Sequence, residues 1–197
     1  AGSNADSHNH NDVGSVTLYR DGRPLLIDVG VETYSKKTFS PQRYEIWTMQ
    51  SGWHNLPQFD PDGAKYDQQP GAEFAAADVT VTDALDGLAM DLAPAYGAVP
   101  GLGRYRRSVH LTDAGLTLHD ETDYPGTVAL TLMSVEKPAV NGDTVAFGAL
   151  AAAAVTGADK IVTEAVPITD PRLRQAWPDT LYRTRIYFTR QLSLVMQ

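Results

Sequence analysis

A hairpin pattern that decides the fold occupies residues 105–122, YRRSVHLTDAGLTLHDET. Apolar and polar residues alternate through most of it, as in strands that bury one face, and the turn residues Thr112-Asp113-Ala114-Gly115 divide it. Similar short runs divided by turn residues recur at 75–82, 87–92, 128–135, 145–150, 160–166 and 182–195. There is no repeat of fixed period and no linker. The sequence therefore predicts one all-β domain over residues 1–197, a β-sandwich or a barrel.

The segments before this region carry local signals of their own. Asp21-Gly22 predicts a two-residue hairpin turn, which places Arg20 opposite Arg23 and Ser15 opposite Asp28. Residues 44–49 are typical of a strand or a short extended piece. Residues 58–71 are rich in Asp, Pro, Gly and Gln and predict a long surface loop.

Composition limits the functions open to the protein. The chain has 197 residues, of which 43% are hydrophobic, and it carries a net charge of −8. The negative charge argues against non-specific nucleic-acid binding, and no apolar run is long enough for a membrane span. The absence of cysteine leaves the compartment undecided. Arg104, Arg106 and Arg107 form the densest basic cluster, which we expect to consist mostly of solvated side chains on strand faces.

The His-rich start is the strongest candidate for chemistry. Ser7-His8-Asn9-His10-Asn11-Asp12 is followed by Asp28 and then by His54. These residue types suit zinc and similar divalent ions. A shared site requires the chain to bend between Asn11 and Gly14, since His10 and Asp28 lie too far apart along an extended hairpin. The alternative is that these histidines are ordinary surface or core residues, which we also expect of His110 and His119.

The chain resembles the C-terminal domain of the heparinase II/III-like polysaccharide lyases, whereas it matches the His-x-His pattern of cupins poorly. The likeness rests on the order of several motifs and covers nearly the whole chain. These motifs are SHNHNDVGS (7–15), PLLIDVG (24–30), Tyr34, WTMQSGWHN (47–55), RRSV (106–109), DE (120–121) and TDPRL (169–173). The resemblance implies an antiparallel, supersandwich-like β-sandwich with few or no helices.

The resemblance also implies roles for single residues. His8 matches the catalytic histidine, and His10, Asp28 and His54 match a zinc-binding set found in some members. The zinc, or another divalent metal, would then be structural, ordering the loop that carries His8. We further predict that Asn9, Tyr34 and Trp53 contact the substrate.

The implied reaction is the cleavage of a uronate-containing polysaccharide or oligosaccharide by β-elimination. A base removes the C5 proton of the uronate, the carboxylate next to it is neutralised, and the 4-linked oxygen leaves. Histidine suits the base role because its ordinary pKa of about 6.5 leaves it neutral at working pH. The sequence does not identify the polysaccharide.

The family's N-terminal (α/α) toroid domain, which supplies a catalytic Tyr and the residues that neutralise the carboxylate, is not found in this sequence. We therefore expect native residues before Ala1 and expect residues 1–197 alone to be inactive. The resemblance slightly favours a secreted or periplasmic protein.

Two other functions stay open. A non-catalytic carbohydrate-binding module would use Trp47, Trp53, Tyr34 and Tyr44 as a sugar-stacking face, although such aromatics more often pack in a core. A metal-dependent hydrolase would use three protein ligands and leave a fourth position open.

Overall fold

The computed structural model describes residues 3–5 and 8–197; Ser7 of the His-rich motif lies outside the described residues. Its strands all pair antiparallel. The strands are β1 (Ser3–Asn4), β2 (Leu18–Arg20), β3 (Arg23–Leu26), β4 (Pro57–Phe59), β5 (Gly71–Ala75), β6 (Ala77–Val81), β7 (Gly87–Asp91), β8 (Tyr105–Thr112), β9 (Gly115–Thr122), β10 (Val128–Ser134), β11 (Pro138–Asn141), β12 (Thr144–Phe147), β13 (Ala151–Thr156), β14 (Lys160–Pro167), β15 (Thr180–Phe188) and β16 (Gln191–Met196).

Helical structure in the described residues is limited to six short 3₁₀ segments, none longer than four residues. They are Lys36–Phe39, Arg43–Glu45, Trp47–Met49, Ser51–Trp53, Ala93–Tyr96 and Leu173–Gln175. No helix in the described part of the chain is long and apolar enough to cross a membrane. The predicted all-β class is therefore confirmed.

Two large sheets form the sandwich. One has eight strands in the order β11-β12-β13-β16-β9-β8-β7-β6, and the other has four in the order β14-β15-β10-β4. Their facing side chains, among them Leu118, Leu130, Phe147, Ile186 and Phe188, form the main core. Two small two-stranded sheets, β1-β5 and β2-β3, complete the fold.

The four-stranded sheet is covered on its second face as well. Every residue of its central strand β10 is buried. Met133 faces a smaller apolar cluster that includes Ile27, Val29 and Leu181, with Trp47 and Trp53 packed against it. The segment from Ile27 to Asn55 therefore lies against this sheet, and the His-rich site rests on a covered core.

Several local predictions need correction. Residues 44–49 are not a strand but belong to consecutive 3₁₀ turns, because backbone bonds such as Met49 N to Ile46 O close locally. The loop predicted for 58–71 begins in the buried strand β4, and its Gln68 is 2% exposed. The β2-β3 hairpin does pair Arg20 with Arg23, but its register shifts between Leu18 and Tyr19, and Ser15 is not paired with Asp28.

Arg107 is an exception to the expectation that most of the clustered arginines are solvated, since Arg104 is exposed and Arg106 half-buried. Arg107 on β8 faces Asp120 on β9, and both side chains are 0% exposed. Two parallel hydrogen bonds join them, Nε to Oδ1 at 2.8 Å and Nη2 to Oδ2 at 2.7 Å. Tyr105 donates a further bond to Asp120 Oδ2 at 2.7 Å. The remaining edge of the guanidinium bonds the backbone near the His-rich segment. Its Nη1 donates to Gly14 O at 3.0 Å and to Asn55 O at 2.8 Å.

Replacing Asp120 by alanine should lower the free energy of unfolding by about 3–5 kcal/mol, because it leaves Arg107 as an uncompensated buried charge. Urea denaturation measures the loss. The neighbouring Glu121→Ala is the control: its pair with Arg104 is half exposed and should cost no more than about 1 kcal/mol. Equal losses for the two variants would show that the buried pair has no special role.

Candidate functional site

The bend required between Asn11 and Gly14 is present. Ser15 N donates to Asp12 O at 2.9 Å, closing a tight turn. Gly14 adopts φ 81°, and a Cβ there would lie 2.5 Å from Leu92 Cδ2. Both the left-handed backbone and the close approach require glycine at this position. The turn brings the His-rich segment back over β3.

Three buried polar side chains hold this turn in place. The side-chain amide of Gln68 bonds both backbone groups of Val13, as a neighbouring strand would. It accepts from the Val13 N–H at 3.0 Å and donates to the Val13 carbonyl at 2.8 Å. Asn55 donates to the carbonyls of Val16 and Ile27 at 2.7 and 3.1 Å. Arg107 holds the Gly14 carbonyl, as described above. Most of the buried polar groups around the turn are therefore satisfied within the protein, which makes the turn rigid.

The structure brings together His10, Asp28 and His54, the three residues predicted to form a ligand set. His54 is 1% exposed, and its Nδ1 lies 3.1 Å from Asp28 Oδ2. The rings of His10 and His54 are 5.2 Å apart between centroids. Asp12 joins them, so that four residues each offer one ligand atom and these atoms lie within 4.8 Å of one another.

Sequence reasoning missed Asp12 as a member of this cluster. It lies two residues after His10, and it stands in the turn that was expected to bend. The bend itself was the available signal, because a turn that carries His10 over Asp28 also carries the next carboxylate of the turn towards the same point.

The hydrogen bonding of His54 tests whether these residues suit a cation. Its Nε2 lies 3.1 Å from Thr48 O, which can only accept, so Nε2 carries the proton. In the neutral ring Nδ1 then presents a lone pair. Nδ1 is buried and has no well-directed hydrogen bond among the described residues, although it lies within ion-pair distance of Asp28. A buried lone pair beside a carboxylate fits a bound cation or an added proton.

The pKa directions of His10 and Asp28, but not that of Asp12, favour the deprotonated forms that bind a cation. Burial and the neighbouring His54 lower the pKa of His10 to about 4, against an opposing effect of Asp28. Burial alone would raise the pKa of Asp28, but the neighbouring His54, helped by the Gly30 N–H, lowers it to about 2. Burial raises the pKa of Asp12. His10 and Asp28 are thus in their ligand forms near neutral pH.

His8 stands outside this cluster, on the surface. Its side chain is exposed, and its ring lies perpendicular to that of Phe39, with centroids 6.0 Å apart. Phe39 in turn contacts Tyr34 at 5.4 Å. Phe39 and Tyr34 are 63% and 45% exposed, and the guanidinium of Arg172 lies 4.5 Å from the Tyr34 ring. Sequence reasoning missed Phe39, which no motif marked.

The backbone between His8 and His10 is held by Arg43. This arginine is 8% exposed, and its Nε and Nη2 donate to Asn9 O at 2.9 and 2.7 Å. Its third bond goes to Thr38 O at 2.8 Å. The His-x-His segment is therefore fixed at its middle residue, with one imidazole inward and one outward.

The predicted substrate contacts differ in their setting. Asn9 lines a cleft of about 730 Å³ together with Asp12. Tyr34 is exposed beside His8, as described. Trp53 and Trp47 form a T-shaped pair with centroids 4.9 Å apart, and the Arg183 guanidinium lies 3.7 Å from the Trp53 ring centroid. This arrangement matches the packing alternative for Trp47 and Trp53, and the substrate role of Trp53 stays a prediction.

The remaining histidines lie away from the cluster. His119 Nδ1 is 2.7 Å from Ser193 Oγ on the neighbouring strand, and His110 is partly exposed beside Asp86 at 3.3 Å. Both sit in the eight-stranded sheet.

Comparisons with known proteins agree with the motif order. Residues 1–195 match the family model described as heparinase II/III-like, C-terminal. No curated protein matched the sequence. Among solved structures, the chain is similar to heparinase III, the BT4657 gene product, with 17% identity and a TM-score of 0.68. It is also similar to the heparan sulfate lyase HepC from Pedobacter heparinus, with 13% identity and a TM-score of 0.60.

The match covers unequal shares of the proteins. It takes in 100% of this chain and 31% of the heparinase III chain, and 95% of this chain and 30% of HepC. The chain thus spans about a third of the length of these solved structures, and at this identity the structural likeness concerns the fold. The family-model match over residues 1–195 shows that the chain belongs to the heparinase II/III-like family, as its C-terminal domain.

Proposed function

We propose that this domain is part of a polysaccharide lyase that cleaves uronate-containing glycans by β-elimination, with His8 as the base. The observation that carries the proposal is the division within the His-x-His segment. His10 turns into a partly buried cluster of two imidazoles and two carboxylates, while His8 is left exposed at the surface of a family member. An exposed imidazole on a fixed backbone can reach a substrate proton more readily than one turned into such a cluster.

His8 would take the C5 proton of the uronate as the bond from C4 to the leaving oxygen breaks. Arg43 fixes the Asn9 carbonyl next to it, so the imidazole starts from a defined position, which lowers the entropic part of the barrier. Phe39 and Tyr34 offer apolar ring faces beside His8 on which a sugar ring can stack.

The carboxylate of the substrate must be neutralised for the C5 proton to become acidic. We propose that the residues that do this, and the acid for the leaving oxygen, come from an N-terminal (α/α) toroid domain. The solved structures that the chain resembles are about three times its length, which leaves room for such a domain. The isolated domain should then bind glycan without turning it over.

His8→Ala in the full-length protein should lower kcat by roughly 10²–10⁴-fold, the usual contribution of a positioned acid–base group. The measurement is the ultraviolet absorbance of the unsaturated uronate product, with heparan sulfate and unsulfated uronate polysaccharides as substrates. His110→Ala, which removes a partly exposed imidazole from another surface, is the matched control and should leave kcat unchanged.

Unchanged turnover in His8→Ala would reject the base role. Products that are saturated rather than unsaturated would instead indicate hydrolysis. The metal-dependent hydrolase alternative is disfavoured by Asp12, because a fourth protein ligand fills the position that catalytic zinc keeps open.

We propose that His10, Asp12, Asp28 and His54 hold a divalent ion, with zinc the best fit to two imidazoles and two carboxylates. The ion would neutralise the two carboxylates and use the buried lone pair of His54 Nδ1. Its role would be structural. It would tie the turn that follows His8 to β3 and to the 3₁₀ turns that precede His54.

His10→Ala should weaken zinc binding by more than about 100-fold, because the loss even of an outer-shell partner costs 10–100-fold. Isothermal titration of the metal-free protein with zinc measures the affinity, and His110→Ala again serves as the control. Chelation of the wild type should also lower its Tm, since an ion that binds only the folded state stabilises it. Equal zinc affinities in His10→Ala and the wild type would remove the metal site from the account.

A second candidate function, a carbohydrate-binding module without catalysis, is favoured by the exposed pair of Tyr34 and Phe39. Replacing both by alanine should weaken oligosaccharide binding by about 10-fold or more, given roughly 1–3 kcal/mol for a stacked ring. Leu85→Ala, a change at an 82% exposed apolar residue elsewhere, is the control. Binding lost in the aromatic variant while His8→Ala keeps full turnover would favour the module over the lyase.

A further inference from the structure

The face of the four-stranded sheet that points away from the main core carries charged side chains which the proposed reaction does not use. Ile186 and Phe188 of β15 lie in the main core. Arg183, Arg185 and Tyr187 alternate with them and therefore project to the opposite face. On the neighbouring strand β14, Lys160 pairs with Tyr187 and Glu164 pairs with Arg183.

Arg183 has its charge neutralised within the protein. Its Nε donates to Glu164 Oε1 at 2.5 Å, and its guanidinium lies 3.7 Å from the Trp53 ring centroid. Its side chain is 13% exposed. Arg183 and Glu164 therefore neutralise each other's charge.

Arg185, two residues further along the same face, is not neutralised in this way. Its Nε lies 4.0 Å from Glu164 Oε1, beyond hydrogen-bond distance, and its side chain is 21% exposed. Nε is buried without a hydrogen-bond partner among the described residues. Glu164 cannot serve it at close range because that carboxylate already holds Arg183. A mostly buried guanidinium with a free donor is costly unless an acceptor meets it.

Lys160 places a second cation near the ring of Tyr187, which Arg185 also approaches. Its Nζ lies 5.2 Å from the Tyr187 ring centroid, and Arg185 Cζ lies 5.5 Å from that centroid. Lys160 forms no salt bridge with a described residue, whereas the Tyr187 hydroxyl donates to Asp62 at 3.2 Å, which fixes the ring. Two cations thus share one aromatic ring, in a protein whose net charge is −8. Local positive charge of this kind in an acidic protein indicates an anionic ligand.

We infer that Arg185 and Lys160 form a binding subsite for an oxyanion, a carboxylate or a sulfate group, on the outer face of the four-stranded sheet. The planar fork of a guanidinium matches two oxygens of such a group, and the ammonium adds a second charge. That the oxyanion belongs to a saccharide rests on the proposed function. The oxyanion site itself does not.

The first test titrates the protein with sodium sulfate against sodium chloride of equal ionic strength, and follows the arginine Nε–H signals by NMR. A saturable shift of the Arg185 signal with sulfate is expected. It should survive in Arg20→Gln, which removes the same charge from an exposed turn. The absence of a saturable shift at Arg185 would overturn the inference.

The second test measures binding of a sulfated heparin hexasaccharide and of an unsulfated uronate hexasaccharide by calorimetry. Arg185→Gln should bind roughly tenfold more weakly, the value of a hydrogen bond to a charged group. Arg20→Gln should stay within about twofold, since a distant exposed charge is screened. Arg185→Lys keeps the charge and the fold but loses the fork, and should lie between wild type and Arg185→Gln.

The pattern of loss identifies the source of the oxyanion. Loss for the sulfated sugar alone assigns a sulfate, and loss for both assigns a carboxylate. Wild-type affinity in Arg185→Gln for both sugars, or an equal loss in Arg20→Gln, would overturn the inference. Neither result bears on the role of His8. Full turnover in His8→Ala would reject the base role of His8 without affecting the inferred oxyanion subsite.

Discussion

The buried ion pair between Arg107 and Asp120 is the interaction on which the arrangement of the site depends. The pair lies on adjacent strands in the middle part of the eight-stranded sheet. One edge of the guanidinium donates to Asp120, and Nη1 donates to Gly14 O and Asn55 O. Gly14 ends the turn that follows His10, and Asn55 follows His54. The two segments that carry the imidazoles are therefore fixed to the sheet by one side chain. A guanidinium suits this task because its five donors are held in one rigid plane.

Two further buried side chains hydrogen-bond the backbone of the His-rich segment. Gln68 supports Val13 on both sides of its peptide unit, and Arg43 fixes the Asn9 carbonyl. With these constraints, neighbouring members of the His-x-His segment face different surroundings. His10 lies in the carboxylate cluster, and His8 lies on the surface beside Phe39. Structural support and proton transfer can thus be served by two histidines separated by one residue.

Periodicity and turn chemistry predicted the all-β class and most strands, since alternation follows directly from a half-buried strand. The grouping of His10, Asp28 and His54 came from their residue types and from the family resemblance, and a shared site in turn required a bend at residues with turn chemistry. The errors have physical causes. Residues 44–49 contain strand-forming types, but successive local hydrogen bonds turn them into 3₁₀ segments. Arg107 resembled other surface arginines because burial depends on the partner strand, and Phe39 became notable only through its exposure next to His8.

The central claim is that one motif separates a metal-binding role from a catalytic one. Anomalous X-ray scattering, recorded above and below the zinc absorption edge on crystals grown with zinc, tests it most directly. We expect one zinc peak among His10, Asp12, Asp28 and His54, with the His8 imidazole outside the ligand sphere. The absence of a peak at these residues, or a peak coordinated by His8, would contradict it.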